Sequence, residues 1–327
     1  MRREPEVGEF ELIRRFFQRQ RPARDGVALG IGDDCALLSP APGQRLAVST
    51  DMLVEGRHFL STVDPAALGH KALAVNLSDL AAMGAQPLCF TLALALPAAD
   101  EAWLDGFSRG LFALADAHGC ELVGGDTTRG PLNLCLTVMG QVPPDVALRR
   151  DAARVGDDVC VSGQLGEARL ALEVFRGGVA LDAPAFARTR ERLERPQPRV
   201  ALGLALRGLA HAAADLSDGL RGDLGHILAA IGVGATLEAP ALLAACGADL
   251  LTQGQDRALD FALHGGDDYE LVFTADPGQR EAIARAAQAL GLPVARIGRI
   301  DAEPGLRLRD GEGQALPLAG HGFDHFA

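Results

Sequence analysis

Lysine is nearly missing from this sequence: Lys71 is the only one in 327 residues, and the remaining positive charge is arginine. A Walker A phosphate loop needs Gly-Lys-Ser/Thr. Lys71 lies in Gly69-His70-Lys71-Ala72, so that loop is absent. The kinase type of glycine-rich loop is absent too, because Gly30-Ile31-Gly32 runs into Asp33-Asp34 instead of a third glycine. Basic residues are outnumbered by acids, leaving a net charge of −12, which argues against a nucleic-acid partner gripped by a basic face. Phosphate ligands stay open, since divalent cations can mediate between acids and phosphates. No Cys-x-x-Cys pair occurs among Cys35, Cys89, Cys120, Cys135, Cys160 and Cys246. Most sit in apolar runs and read as reduced core thiols. No apolar run reaches membrane-spanning length; Cys89 to Leu96 is too short. Met1-Arg2-Arg3-Glu4-Pro5 is charged and then amphipathic, unlike a secretory leader. The expectation is a soluble, cytoplasmic protein without a membrane partner.

What is present is ample core material: 48% of the residues are hydrophobic. The length exceeds what one core usually supports, so two domains are the default. Pro143-Pro144 and Arg149-Arg150-Asp151 break the pattern, and the boundary is placed there, giving 1–148 and 149–327. Apolar spacing predicts helices over 9–20, 64–84 and 100–117 in the first part. Strands are expected at 27–31, 36–38, 46–49, 88–96, 121–123 and 132–140. In the second part, helices are expected at 167–175, 184–193, 199–209, from the Gly219 region to 231, 252–263 and 278–290. Strands at 156–163, 271–274 and 294–300 complete an α/β pattern.

The second of these helices carries the densest signal. Asp64 can cap it, Pro65 suits its first turn, and Gly84 with Pro87 can end it. Within its apolar, small-residue run sits Asp79. A carboxylate on a tightly packed helix is costly unless something positive meets it. Asp79 is either solvent-facing or a metal ligand. Other acids sit at element ends: Asp33, Asp34, Asp51, Asp126, Asp215, Asp218, Asp267 and Asp268. Each is a polar turn if taken alone. If they converge, their repulsion must be offset by cations. Hard oxygen ligands of this kind suit Mg²⁺, with Mn²⁺ possible and Zn²⁺ poor. Asn76-Leu77-Ser78-Asp79-Leu80 also echoes Asp215-Leu216-Ser217-Asp218-Gly219, a short match that is either a distant repeat or chance.

Several segments occur in a fixed order: Gly30-Ile31-Gly32-Asp33-Asp34, Ser49-Thr50-Asp51, His58-Phe59, the run from Lys71 to Gly84, Gly124-Gly125-Asp126-Thr127-Thr128, Asp215-Leu216-Ser217-Asp218-Gly219-Leu220 and Gly322-Phe323-Asp324-His325-Phe326. Together they resemble the thiamine-monophosphate kinases, whose wider superfamily includes aminoimidazole ribonucleotide synthetase and selenophosphate synthetase. The resemblance covers nearly the whole sequence. It implies ATP-dependent phosphorylation of thiamine phosphate to thiamine diphosphate with several Mg²⁺ ions. By motif position, Asp34, Ser49, Thr50, Asp51, Asp79, Asp126, Asp215 and Asp218 would be metal ligands. Gly125, Arg150 and Ser217 would hold ATP. His58, Asp267 and Phe323 would face thiamine phosphate. The implied fold is two α/β lobes, with N-terminal lobe sheets pairing in a homodimer into a barrel-like arrangement.

One departure stands out. Family members often carry Gly-Gly-Glu-Asp-Tyr-Glu-Leu, whereas here Asp267 takes the first acidic position, one methylene shorter. Two alternatives remain: another ATP-using enzyme of the superfamily, or a non-catalytic Mg-nucleotide sensor. Against the selenophosphate type, no Cys precedes Gly30 and no Lys precedes Lys71. The implied acceptor oxygen is already anionic near neutral pH, so direct transfer without a phosphoenzyme is expected, with no acid–base residue assigned.

Overall fold

The computed structural model of the chain describes residues 9–19 and 25–318. It divides into two compact units, Met1–Leu80 with Ala85–Pro144 and Ala81–Gly84 with Asp145–Ala327.

In the first unit, α1 (Glu9–Leu12) widens into a π-type turn over Ile13–Phe17. The helix expected over 9–20 is present from Glu9 to Phe17, its second half distorted into the π-type turn, with Phe16 and Phe17 buried. Strands β1 (Val27–Leu29) and β2 (Leu37–Leu38) pair antiparallel and hold between them the loop bearing Asp34. Strand β3 (Arg45–Val54) extends well past the expected end at residue 49. Its backbone pairs from Arg45↔Val142 to Val54↔Asn133, so Ser49, Thr50 and Asp51 lie inside a strand rather than at its tip.

Helix α2 (Pro65–Ala82) starts as its sequence requires. Asp64 Oδ1 accepts from Ala66 N (2.9 Å) and Ala67 N (3.1 Å), satisfying amides that the first turn leaves unpaired. Gly84, at φ +62°, ends the helix in the left-handed conformation. Strand β4 (Gln86–Leu96), helix α3 (Glu101–Ala117) and strands β5 (Glu121–Arg129) and β6 (Asn133–Val142) follow. The sheet order is β3-β6-β4-β5, with only β4 and β5 parallel.

Helices α2 and α3 touch backbone to backbone. A Cβ on Gly110 would stand 1.9 Å from Ala66 O, and one on Gly69 would stand 2.1 Å from Phe107 O. That approach explains why α2 is apolar almost all round. Its residues Ala72, Leu73, Ala74, Leu77, Leu80 and Ala81 are essentially inaccessible to water, a pattern of a helix enclosed on every side. The opposite face of the sheet is open: Leu46, Val48, Met52 and Val54, alternating along β3, are exposed.

The second unit is a seven-stranded sheet with helices. Strand β7 (Asp158–Ser162) leads to α4 (Glu167–Phe175), α5 (Ala183–Glu194) and α6 (Val200–Ala205). Strand β8 (Ala212–Asp215), α7 (Leu220–Ile231) and β9 (Gly234–Glu238) come next. Then follow α8 (Ala239–Ala244), α9 (Ala248–Leu251), α10 (Gln255–His264) and β10 (Leu271–Ala275). Helix α11 (Arg280–Ala289) precedes β11 (Val294–Asp301), β12 (Gly305–Arg309) and β13 (Ala315–Leu316). The order is β13-β12-β9-β11-β7-β10-β8, antiparallel except for β12 beside β9. Strands β7, β8 and β10 are wholly buried, which is why β8 (Ala-Ala-Ala-Asp) shows no alternation to read.

Cys89, Cys120, Cys160 and Cys246 are buried, whereas Cys35 is exposed. Burial pushes the thiols of Cys89, Cys160 and Cys246 up to about 12, so they behave as small apolar side chains.

The α2–α3 contact gives a stability test. Gly110→Ala should cost roughly 2–3 kcal/mol by overpacking, read as a lower urea midpoint with an unchanged slope. An unchanged midpoint would show that the helices do not touch there.

Candidate active site

In the first unit the polar residues of α2 reach β3. Ser49 Oγ donates to Asp79 Oδ2 at 2.5 Å. One helical turn earlier, Asn76 Oδ1 accepts from Asp51 N at 3.2 Å, while Asn76 Nδ2 donates to Ala72 O at 3.0 Å. Asn76 is completely buried, so its side chain is a fixed strut. Ser49 and Asp51 alternate onto the helix-facing side of β3. Thr50 turns to the other side, where its hydroxyl meets Thr137 Oγ1 at 2.9 Å.

Asp126 is exposed on β5, opposite Ala93. Ala93 lies opposite Cys135, which lies opposite Met52, so by register Asp126 shares the open face. Gly125 just before it has φ +150°, and a Cβ there would meet Leu92 O at 1.9 Å. Only glycine fits that close backbone approach. Asp34 is exposed in the β1–β2 loop, where its N–H donates to Asp33 Oδ1 at 2.9 Å.

His58 closes a tight turn after β3. Its Nδ1 accepts from Val54 N at 2.9 Å, which puts the ring proton of the neutral form on Nε2. The sole lysine is 2% exposed and supports this turn, Lys71 Nζ donating to His58 O at 3.3 Å.

In the second unit, Asp215 ends β8, buried opposite Leu271. Ser217 and Asp218 form the turn into α7. Asp223, in the first turn of α7, reaches back to that turn: its Oδ2 accepts from Asp218 N at 3.1 Å, and Ser217 N is a second donor. Burial raises the Asp223 carboxyl to about 7, against the pull of these amides and of the Arg150 charge. Arg150 itself is exposed in the short turn Arg150–Ala152. The turn at 217–218 and the loop bearing Asp267 are stitched together. Asp267 N donates to Ser217 O (3.0 Å), Tyr269 N to Leu216 O (2.9 Å) and Leu216 N to Glu270 O (2.8 Å). Phe323 lies outside the described residues.

The structure thus brings Ser49, Asp51 and Asp79 to one helix–strand contact, and Arg150, Ser217, Asp218 and Asp267 to one neighbourhood of the second unit. Two supports escaped the sequence reading. Asn76 stands inside the motif but looks like one more polar helix residue. Asp223 carries the ordinary mark of an acid in a first helical turn, and only the fold reveals its partners.

Among the described residues, no group of three or more His, Cys, Asp or Glu side chains could hold a metal ion. Mg²⁺ does not require such a group; it uses one or two carboxylates together with phosphate oxygens and water. The candidate metal donors at the α2–β3 contact, Ser49, Asp51 and Asp79, are hydroxyl and carboxylate oxygens, a set whose hardness fits Mg²⁺ and not Zn²⁺.

Comparison with known proteins gives consistent results. The family described as AIR synthase related protein, N-terminal domain, matches residues 32–142, and its C-terminal domain counterpart matches 154–311. The thiamine-monophosphate kinase of Salmonella typhimurium is 48% identical over 325 residues, 98% of each chain. The crystal structure of thiamine-monophosphate kinase from Stenotrophomonas maltophilia superposes with a TM-score of 0.83 at 50% identity, covering 90% of this chain and 93% of that one. AaThiL, solved in complex with AMPPCP and TMP, superposes with a TM-score of 0.77 at 28% identity, covering 88% and 89%.

The Asp223 support can be tested alone. Asp223→Ala strands two turn amides and should cost about 1–3 kcal/mol, seen as a lower denaturant midpoint. Full stability in Asp223→Ala would contradict the bonds assigned to it.

Proposed function

The chain belongs to the thiamine-monophosphate kinase family, and from that premise we propose how its own residues serve the reaction. It transfers a phosphoryl group from ATP to thiamine phosphate, giving thiamine diphosphate and ADP. The observation that carries the residue reading is the Ser49–Asp79 bond beside the Asn76–Asp51 bond. It fixes hydroxyl and carboxylate oxygens on two rigid elements, as a phosphate-handling site requires.

We assign Ser49, Asp51 and Asp79 at the α2–β3 contact to hold Mg²⁺; by motif Asp34, Thr50, Asp126, Asp215 and Asp218 are assigned to it as well, although Thr50 and Asp126 lie on the other face of the sheet. Bound Mg²⁺ supplies the positive charge that screens two polyanions from each other and stabilises the transferring group. Gly125 lets backbone amides approach the nucleotide phosphates, because nothing larger fits beside Leu92 O. Arg150 adds a charge-assisted contact, and Ser217 a hydroxyl, to ATP. His58 offers a fixed Nε2–H to the phosphate of the acceptor. Asp267 contacts thiamine phosphate through a carboxylate whose backbone is pinned by Ser217 O; Phe323 is assigned to the same substrate by its motif. The acceptor oxygen is anionic already, so these residues need to orient and screen rather than abstract a proton. Transfer is direct.

The open sheet face suggests how the chain assembles. Val48 is 58% exposed and Met52 55%, with Leu46 and Val54 beside them on β3. An apolar stripe of this kind is rarely left in water. A second copy, its own sheet laid against this one in a barrel-like homodimer, would cover it. Among the described residues no helix is long and apolar enough to cross a membrane, in keeping with a cytoplasmic enzyme of thiamine biosynthesis.

With ATP, Mg²⁺ and thiamine phosphate, the wild-type chain should yield thiamine diphosphate. Asp79→Asn should lose at least about a hundredfold in kcat while unfolding at the same temperature. Rapid quench with γ-labelled ATP alone should leave no label on the protein; acyl-phosphate label would refute direct transfer. Val48→Arg should sediment as a monomer where the wild type sediments as a dimer, and an unchanged sedimentation coefficient would remove the sheet face from the interface.

A further inference from the structure

The loop from Gly265 to Glu270 holds Asp267 in an unfavourable backbone state. Asp267 has φ +69° and Tyr269 has φ +49°, both in the left-handed region and separated by one residue. They are the only non-glycine residues of positive φ among the described residues. Such conformations persist only where the surroundings over-determine them. The backbone bonds to Leu216 and Ser217 pin one side of the loop. Something must pin the other.

That anchor is Glu270, 2% exposed. Arg199 grips its carboxylate with both arms of the fork, Nε to Oε2 at 2.6 Å and Nη2 to Oε1. Ser162 Oγ donates to the same Oε2 at 2.6 Å and accepts from Leu271 N at 2.9 Å. Gly163 leaves room for the carboxylate, since a Cβ there would stand 1.9 Å from Glu270 Oε1. Asp268 adds a second peg, its Oδ2 accepting from Gly166 N (2.8 Å) at the start of α4.

We propose that Arg199 is a positioning residue, its bidentate grip on Glu270 holding the strained loop so that Asp267 is presented to thiamine phosphate. The inference rests on the reading of Asp267 given above. It also says which substrate feels the anchor. Besides their backbone bonds to this loop, Ser217 and Asp218 have a second support in the Asp223 carboxylate, which the Glu270 side chain does not touch. Loosening the Arg199–Glu270 contact should therefore weaken the acceptor and spare the nucleotide.

The test uses the full chain and its one tyrosine, which is Tyr269, inside the loop. Protein labelled with 3-fluorotyrosine gives one ¹⁹F line that reports the loop directly. Arg199→Lys keeps the charge but loses the fork; Ser162→Ala removes the hydroxyl's bonds to Glu270 Oε2 and from Leu271 N and serves if the first variant does not fold. In each, the ¹⁹F line should broaden or shift, and KM for thiamine phosphate should rise about tenfold with KM for ATP within about twofold. An unmoved line overturns the anchoring. A moved line with both KM values unchanged, or both raised alike, overturns the assignment to the acceptor. A wild-type chain that makes no product overturns the functional reading, while the ¹⁹F line still decides whether Arg199 holds the loop.

Discussion

A buried helix that reaches out with two polar side chains is the constraint from which the first unit follows. Asn76 and Asp79 face β3 one turn apart and take hold of Asp51 N and Ser49 Oγ. Burying polar groups on an enclosed helix is unfavourable unless each is met. Here the strand meets both, so the helix cannot turn or slide without losing them. The glycines under α3 serve the same end, because they let α2 sink until its backbone touches its neighbour. Hydroxyl and carboxylate oxygens thereby stand on rigid elements.

The second unit solves a related problem in a different way. Apart from Asp215 at the end of β8, its candidate residues lie on turns rather than on a helix, and turns need outside support. Asp223 supports Ser217 and Asp218 from α7. Glu270, held by Arg199 and Ser162, supports the loop bearing Asp267. Backbone bonds between Leu216, Ser217 and that loop join the two supports into one frame. Acids that look alike in the sequence thus divide into those assigned to ligands and those that hold the turns in place.

Much of this was legible beforehand, for identifiable reasons. Helices α2 and α3 could be placed because Asp64 and Asp100 are caps whose chemistry is local: Asp100 Oδ1 does accept from Ala102 N and Trp103 N. The acidic motifs could be found because their residue types recur at element ends. The length of β3 could not be read, since Ser49-Thr50-Asp51 looks like a strand terminus until β6 pairs alongside it. Strand β8 could not be read either, being buried on both faces. Nor could the alternation that sends Thr50 to Thr137 and Ser49 to Asp79, because it depends on which face the helix covers. Asp223, Arg199 and Glu270 were invisible as supports, since their partners are distant in sequence or are plain backbone amides.

In the proposed reaction, carboxylates placed by rigid elements would hold more than one cation, so that two anionic substrates can approach. The most direct measurement of this is the rate of thiamine diphosphate formation as free Mg²⁺ is raised beyond the point where all ATP already carries an ion. The account predicts that the rate keeps climbing there, as further ions fill sites on the protein. A rate that levels off as soon as ATP is fully complexed would contradict it.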